Sequence, residues 1–283
     1  MTTSVSALRQ RMTDDMKLRN MSPLTQQRYI SAVKNYSLFF KRSPDQLGYE
    51  DVRTYLLHLN TRGLQAQATN QIACALRFFY SITLGKDDAS KQIPLARRPD
   101  TLPSVMAPEE IIRFLDAVSD LRYRAVFSTI YAAGLRVSEA ASLKVKDIDS
   151  HRMVIHVRQG KGRKDRMVML SGQLLVLLRA YWKKEKPVDW LFPGPDSTSP
   201  LTARSIQRAC QKAALRAGLE TKISVHTLRH SFATHLLEHG IELRVIQELL
   251  GHRNIATTTR YARVAITMIR KTESPLEHLR LPS

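Results

Sequence analysis

The feature that most constrains this chain is an interruption. Over residues 85–103 the segment GKDDASKQIPLARRPDTLP combines three prolines, one glycine and a run of charges, and no apolar periodicity of helix or strand crosses it. A chain of 283 residues broken there has room for two bodies, each with its own core. The expected organisation is a first domain over 1–88, an exposed linker over 89–103 and a second domain over 104–283.

Ahead of the break, from Thr25 as a plausible helix cap, Tyr29, Val33, Tyr36 and Phe40 recur on one helical face. Val52, Tyr55, Leu56 and Leu59 make a second such face, and Ile72, Leu76 and Phe79 a third. Arg28, Lys34, Arg53 and Arg77 fall on the outer faces, so a small basic helical bundle is expected. After the break, APEEIIRFLDAV reads as a helix opened by Pro108 and two glutamates, with Ile111, Ile112, Leu115 and Val118 turned inward. One segment of this half is β-rich: RMVIHVRQGKGRKDRMVML reads as a hairpin around a basic, glycine-rich turn. The rest is helical in pattern. The fold class is therefore mainly α with a small β-hairpin or sheet.

Charge narrows the partner. Lys and Arg number 44 against 25 Asp and Glu, a formal charge of +19, which fits a polyanion. The basic residues are spread from Arg9 to Arg280, and no apolar run approaches the roughly 18 residues that cross a bilayer. Nucleic acid is thus favoured over a membrane surface. Cys74 and Cys210 alone make neither a disulfide framework nor a four-ligand zinc site. The N-terminus lacks the apolar core of a secretion signal, so the cytoplasm is the expected compartment.

The chemistry-bearing residues lie in the second half. His226 and Arg229, three apart in SVHTLRHSFATHLLEHG, project from one face of a predicted helix. An imidazole and a guanidinium together suit a phosphate, since Arg binds its oxygens bidentately and His donates or moves a proton near neutral pH. The next helix, with Leu243, Ile246 and Leu250 buried, should stop at Gly251 and leave His252 at its end. NIATTTRYARV then starts another helix, with Asn254 as a possible cap and Tyr261 on its third turn. Upstream, YAAGLRVSEAASL ends one helix at Gly134 and starts another near Ser138, which holds Arg136 in the tight connection. The hairpin turn presents Lys161, flanked by Arg163 and Lys164; its glycines do not match the P-loop pattern, so nucleotide binding is not expected.

Together, AAGLRVSEAASL, GKGRKDR, HTLRHSFATHLL and LLGHRNIATTTRYA resemble the successive active-site segments of tyrosine recombinases, the family of phage integrases and Xer-type proteins. The resemblance covers nearly the whole chain. SPLE near the C-terminus also resembles integron integrases, but the run from DWLFPG to SVHTLRH lacks their additional segment, which leaves the subfamily open. What the resemblance implies is a helical core DNA-binding domain followed by a catalytic domain. Arg136, Lys161, His226, Arg229 and His252 would surround a scissile phosphate and Tyr261 would be the nucleophile. Lys161 is the implied acid for the departing 5′ oxygen, His226 a base or phosphate donor, and Glu139 a partner that orients Arg136. The implied product is a 3′-phosphotyrosine, so rejoining needs neither metal nor ATP and no cofactor. The implied partner is double-stranded DNA with specific recombination sites, acted on by a homotetramer bound to two of them in the bacterial nucleoid. The tail VAITMIRKTESPLEHL would pack on a neighbouring protomer or on its own domain through Ile266, Ile269 and Leu276.

Three rival readings share some of these features. His226, His230, His235, His239 and His252 invite zinc, His226 and His230 having one-face spacing, but Thr227 stands where a metalloprotease helix carries its glutamate and several of these histidines fall on different faces. ELRVIQELLGHRNIATTTRYARV has the form of a helix-turn-helix reader, which leaves Arg136, Lys161 and the His226–Arg229 pair unexplained. A type IB topoisomerase would share the tyrosine chemistry without strand exchange.

Overall fold

A computed structural model describes residues 6–97, 103–158, 165–220, 223–252 and 254–262. The chain forms two compact units, Met1–Asp100 and Thr101–Ser283.

The first unit consists of α1 (Ala7–Leu18), α2 (Pro23–Phe40), α3 (Tyr49–Thr61), α4 (Ala66–Phe78), a π turn over Phe79–Thr83 and α5 (Asp87–Gln92). Each periodic apolar face expected there supplies the core: Val33 and Tyr36, Val52 and Leu56, Leu76 and Phe79 are buried together, joined by Met12 and Met16 of α1. The buried phenols are satisfied, since Tyr36 and Tyr80 share a hydrogen bond of 3.1 Å and Tyr80 donates to the Leu47 carbonyl at 2.7 Å. Three local expectations are corrected. The cap of α2 is Ser22, whose hydroxyl accepts the Thr25 N–H. Arg77 is not on a free outer face but donates to the Ile93 carbonyl through Nε at 2.9 Å. The stretch read as the start of a linker carries α5 and the buried Ile93, because Arg77 and Asn70, which donates to the Ala96 carbonyl at 2.8 Å, tie its backbone down.

The second unit opens with α6 (Pro108–Asp116), α7 (Leu121–Ala133) and α8 (Val137–Ala141). On α6, Ile111 and Phe114 are buried, whereas Ile112, expected inside, is 61% exposed and Leu115 only half-buried. Phe114, one turn from Ile111, takes the inward place and leaves Ile112 on the opposite side. The hairpin is present as β2 (Val154–Val157) and β3 (Arg166–Met169), antiparallel with Ile155 opposite Val168; β1 (Ile148–Asp149) adds a third strand that the sequence pattern did not disclose. Two residues are too few to show alternation. The sheet is followed by α9 (Gly172–Glu185), α10 (Ala203–Arg216), α11 (Val225–Glu238) and α12 (Leu243–Leu250).

α11 is the axis of this unit. Leu228, Phe232, Ala233 and Leu237 bury against α7 and α12, and the Ser231 hydroxyl accepts the Met106 N–H at 2.9 Å. A helix enclosed on nearly every side holds its polar side chains in fixed directions. Beyond α12 the expected three-turn helix does not form; two 3-10 turns, Ile255–Thr257 and Thr259–Tyr261, take its place. Three successive β-branched threonines, Thr257 to Thr259, disfavour the α conformation, and Thr258 is fully buried with its hydroxyl bonded to His252 at 2.8 Å. Among the described residues no helix is long and apolar enough to cross a membrane.

Candidate active site

Two glycine-terminated helices and one buried carboxylate set the geometry. α7 ends at Gly134 (φ +62°) and α12 at Gly251 (φ +61°), where the sequence placed their ends, and both glycines are in the left-handed conformation. Their terminal carbonyls, which have no partner within the helix, are turned to arginines. Arg229 of α11 donates to Gly134 O and to Leu250 O, each at 2.7 Å. Arg136, the residue that opens α8, donates to Gly251 O at 3.2 Å, and Arg166 at the start of β3 donates to Leu249 O at 2.7 Å. The negative ends of two helix dipoles thereby favour the guanidinium charges.

Glu139, on the first turn of α8, ties the arginines to one another. It accepts the backbone N–H of Arg136 at 2.9 Å and the Arg136 guanidinium at 2.6 Å. Arg166 reaches it as a bidentate fork at 2.9 and 2.8 Å, and Arg229 stands 3.7 Å from it. Burial alone would raise the Glu139 carboxyl, but the Arg166 and Arg136 hydrogen bonds and charges outweigh it and hold the group at about 2. Burial, and then the charge of Arg136, bring Arg229 down to about 10, so it stays cationic at neutral pH.

In front of this platform lies a cleft of about 390 Å³, lined by Arg136, His226, Arg229, His230, His252, Arg260 and Tyr261 among others. No carboxylate lines it among the described residues, because Glu139 sits behind the arginines. The electrostatics are those of an anion site. Arg229 also directs Nη2 at His252 Nε2, 3.1 Å away. A guanidinium only donates, so Nε2 accepts and Nδ1 carries the proton toward the Thr258 hydroxyl. Burial and the charges of Arg229 and Arg136 keep His252 neutral down to about pH 4. His226, at the exposed rim, is lowered by desolvation and by the same two arginines.

Tyr261 is only 3% exposed. Burial raises its hydroxyl above the ordinary tyrosine value, while Arg229, Arg260 and Arg136 pull the other way. Its hydroxyl lies 3.1 Å from His230 Nδ1, and its ring is nearly parallel to that of His252 at 6.4 Å.

Of the six residues singled out from sequence, five (Arg136, His226, Arg229, His252 and Tyr261) line this one cleft. Lys161 lies outside the described residues, as do Arg163, Lys164 and the tail with Ile266, Ile269 and Leu276. Glu139 has the orienting position expected of it. Arg166 and His230 were missed. The signal for Arg166 was its place at the foot of the returning strand beside the basic turn. For His230 it was the four-residue spacing from His226, which had suggested zinc; instead His230 contacts Tyr261, His235 contacts the Tyr131 hydroxyl at 2.9 Å, and His239 the backbone of its own helix.

Converging guanidiniums and neutral imidazoles beside a sequestered tyrosine make this cleft suited to an anionic group. Residues 104–268 match the phage integrase family and residues 8–89 the phage integrase N-terminal SAM-like domain. An integrase/recombinase of Sinorhizobium fredii is 46% identical over 281 residues, covering 99% of this chain and 91% of the relative. The tyrosine recombinase XerD of Caulobacter vibrioides is 38% identical over 265 residues, covering 84% and 86%. The crystal structure of the XerH site-specific recombinase in its post-cleavage complex with palindromic difH substrate superposes with a TM-score of 0.75 at 24% identity, covering 96% of this chain and 86% of that one. The chain belongs to the phage integrase family, the tyrosine recombinases. It is an enzyme of site-specific recombination that cleaves and rejoins DNA strands by transesterification.

Proposed function

We propose that the cleft receives the scissile phosphate of a double-stranded recombination site and that the Tyr261 oxygen attacks it, joining the protein to the 3′ side of the break. The observation that carries this reading is the convergence of Arg136, His226, Arg229, His252 and Tyr261, from four separate parts of the chain, on one positively charged cleft. Arg136 and Arg229, already oriented by helix carbonyls and Glu139, stabilise the charge that develops on the non-bridging oxygens; each such donor is worth roughly 3 kcal/mol in comparable sites. His226 presents its imidazole to the same phosphate, and His252, held between Arg229 and Thr258, steadies Arg229 beside it. Lys161 protonates the departing 5′ oxygen. Attack of that hydroxyl, or of one from another strand, on the phosphotyrosine reverses the step, and the stored bond energy supplies the driving force. The first unit, whose packing runs past residue 88 through α5 and Ile93, is a DNA-gripping domain, and the domain from residue 104 onward is catalytic. Four protomers act on two DNA sites, integrating or resolving chromosomal or mobile DNA in the bacterial nucleoid.

DNA recovered by crosslinking the protein in its host supplies the site. A nicked duplex carrying that site is expected to yield a detergent-resistant protein–DNA adduct. Tyr261→Phe should abolish the adduct and leave binding intact. Sequence-specific binding without any adduct would instead identify a regulator, and relaxation of a supercoiled circle without exchange between paired sites a topoisomerase.

A further inference from the structure

We propose that His230 is a further catalytic residue, holding the Tyr261 hydroxyl through Nδ1 and taking its proton as the oxygen attacks phosphorus. The proposal rests on the reading of Tyr261 as nucleophile and adds the destination of its proton. At 3% exposure Tyr261 has little bulk water to receive that proton. Arg136, Arg229 and Arg260 are cations without a lone pair to offer. His252 is engaged on both nitrogens, by Arg229 at 3.1 Å and Thr258 at 2.8 Å. His226 stands at the exposed rim, its ring 6.5 Å from that of His230. His230 lies within hydrogen-bond reach of the phenol at 3.1 Å, with ring centroids 5.6 Å apart. It sits one residue after Arg229 on the enclosed helix α11, so the base and the phosphate clamp share one rigid support.

The groups facing His230 are His226 and Arg229 from its own helix, Arg260 and Tyr261 from the final 3-10 turn, and His252 from the loop after α12. Burial, then His226, Arg229 and Arg260, bring it down to about 4, so the ring is neutral and able to accept at physiological pH. An incoming phosphate adds negative charge beside the imidazole and raises its basicity where the proton is released. The step balances: the bond from Tyr261 Oη to phosphorus forms, the bond from phosphorus to the 5′ oxygen breaks, and the tyrosine proton passes to His230 Nδ1. The 5′ oxygen takes a proton from the acid, and rejoining returns the proton from His230 to Tyr261.

The test is single-turnover adduct formation on the nicked substrate by wild type, His230→Ala and His230→Asn, with DNA affinity and thermal unfolding measured beside it. The asparagine can hold the hydroxyl but cannot take its proton. Both variants are expected to bind DNA normally and to react about 100-fold slower at pH 7. The alanine variant should accelerate as pH rises and when imidazole is added. Wild-type rate in the asparagine variant would reduce His230 to a positioning residue and overturn the proposal. So would a wild-type rate and pH profile in the alanine variant. If the wild-type protein forms no adduct at Tyr261, the nucleophile assignment itself fails, an outcome distinct from either.

Discussion

At the scale of single residues, Glu139 carries the largest consequence. Three guanidiniums close on one buried carboxylate, and removing one partner of such a buried ionic group costs about 3–5 kcal/mol, because the remaining charges are left uncompensated. Glu139→Gln should therefore lower unfolding stability in urea by a few kcal/mol at pH 7 and slow adduct formation, since Arg136 loses its anchor. The pH dependence has a defined sign. The carboxyl falls from 4.5 to about 2 on folding, so its contribution, about 3 kcal/mol at 1.36 kcal/mol per unit, is complete above pH 4.5 and is lost as pH falls toward 2. Urea titrations from pH 5 to 2 should show this loss in wild type and a flatter profile in Glu139→Gln.

At the scale of elements, the site is made by the ends of helices. Gly134 terminates α7 with φ +62°, offers its carbonyl to Arg229, and has no room for a methyl group: a Cβ there would lie 2.4 Å from the Phe232 ring. Gly134→Ala combines left-handed strain of about 1 kcal/mol with overpacking of about 1–3 kcal/mol. It should lower the unfolding midpoint and displace Arg229, so adduct formation should fall more steeply than DNA binding; equal effects on both would argue against a local cause. These elements were legible because they depend on local rules. Glycines at 134 and 251 mark helix ends, and the three-residue spacing of His226 and Arg229 puts them on one face. What escaped depends on tertiary partners. Arg166 is defined by a carboxylate 27 positions earlier in the chain, and His230 by a tyrosine 31 positions later. The final turns departed from the expected helix because a buried Thr258 is bonded to His252, a contact that spacing alone does not encode.

At the scale of the whole molecule, a formal charge of +19 implies that counterion release dominates affinity for DNA. A protein making 6–10 phosphate contacts loses roughly 10³–10⁵ in affinity between 50 and 200 mM salt. A loss of that order is expected here, with a steep linear dependence of log affinity on log salt. Tyr261→Phe should keep the slope, while Arg136→Ala should reduce it by about one; a salt-independent affinity would contradict an interface built on phosphates. In the function proposed, the charge brings DNA to the chain and the cleft decides what happens to it. The most direct test of that decision is to digest the trapped adduct with protease and nuclease and locate the remaining nucleotide by mass spectrometry. A nucleotide attached through its 3′ phosphate to the Tyr261 oxygen is the predicted result; attachment to any other side chain, or through a 5′ phosphate, would contradict the account.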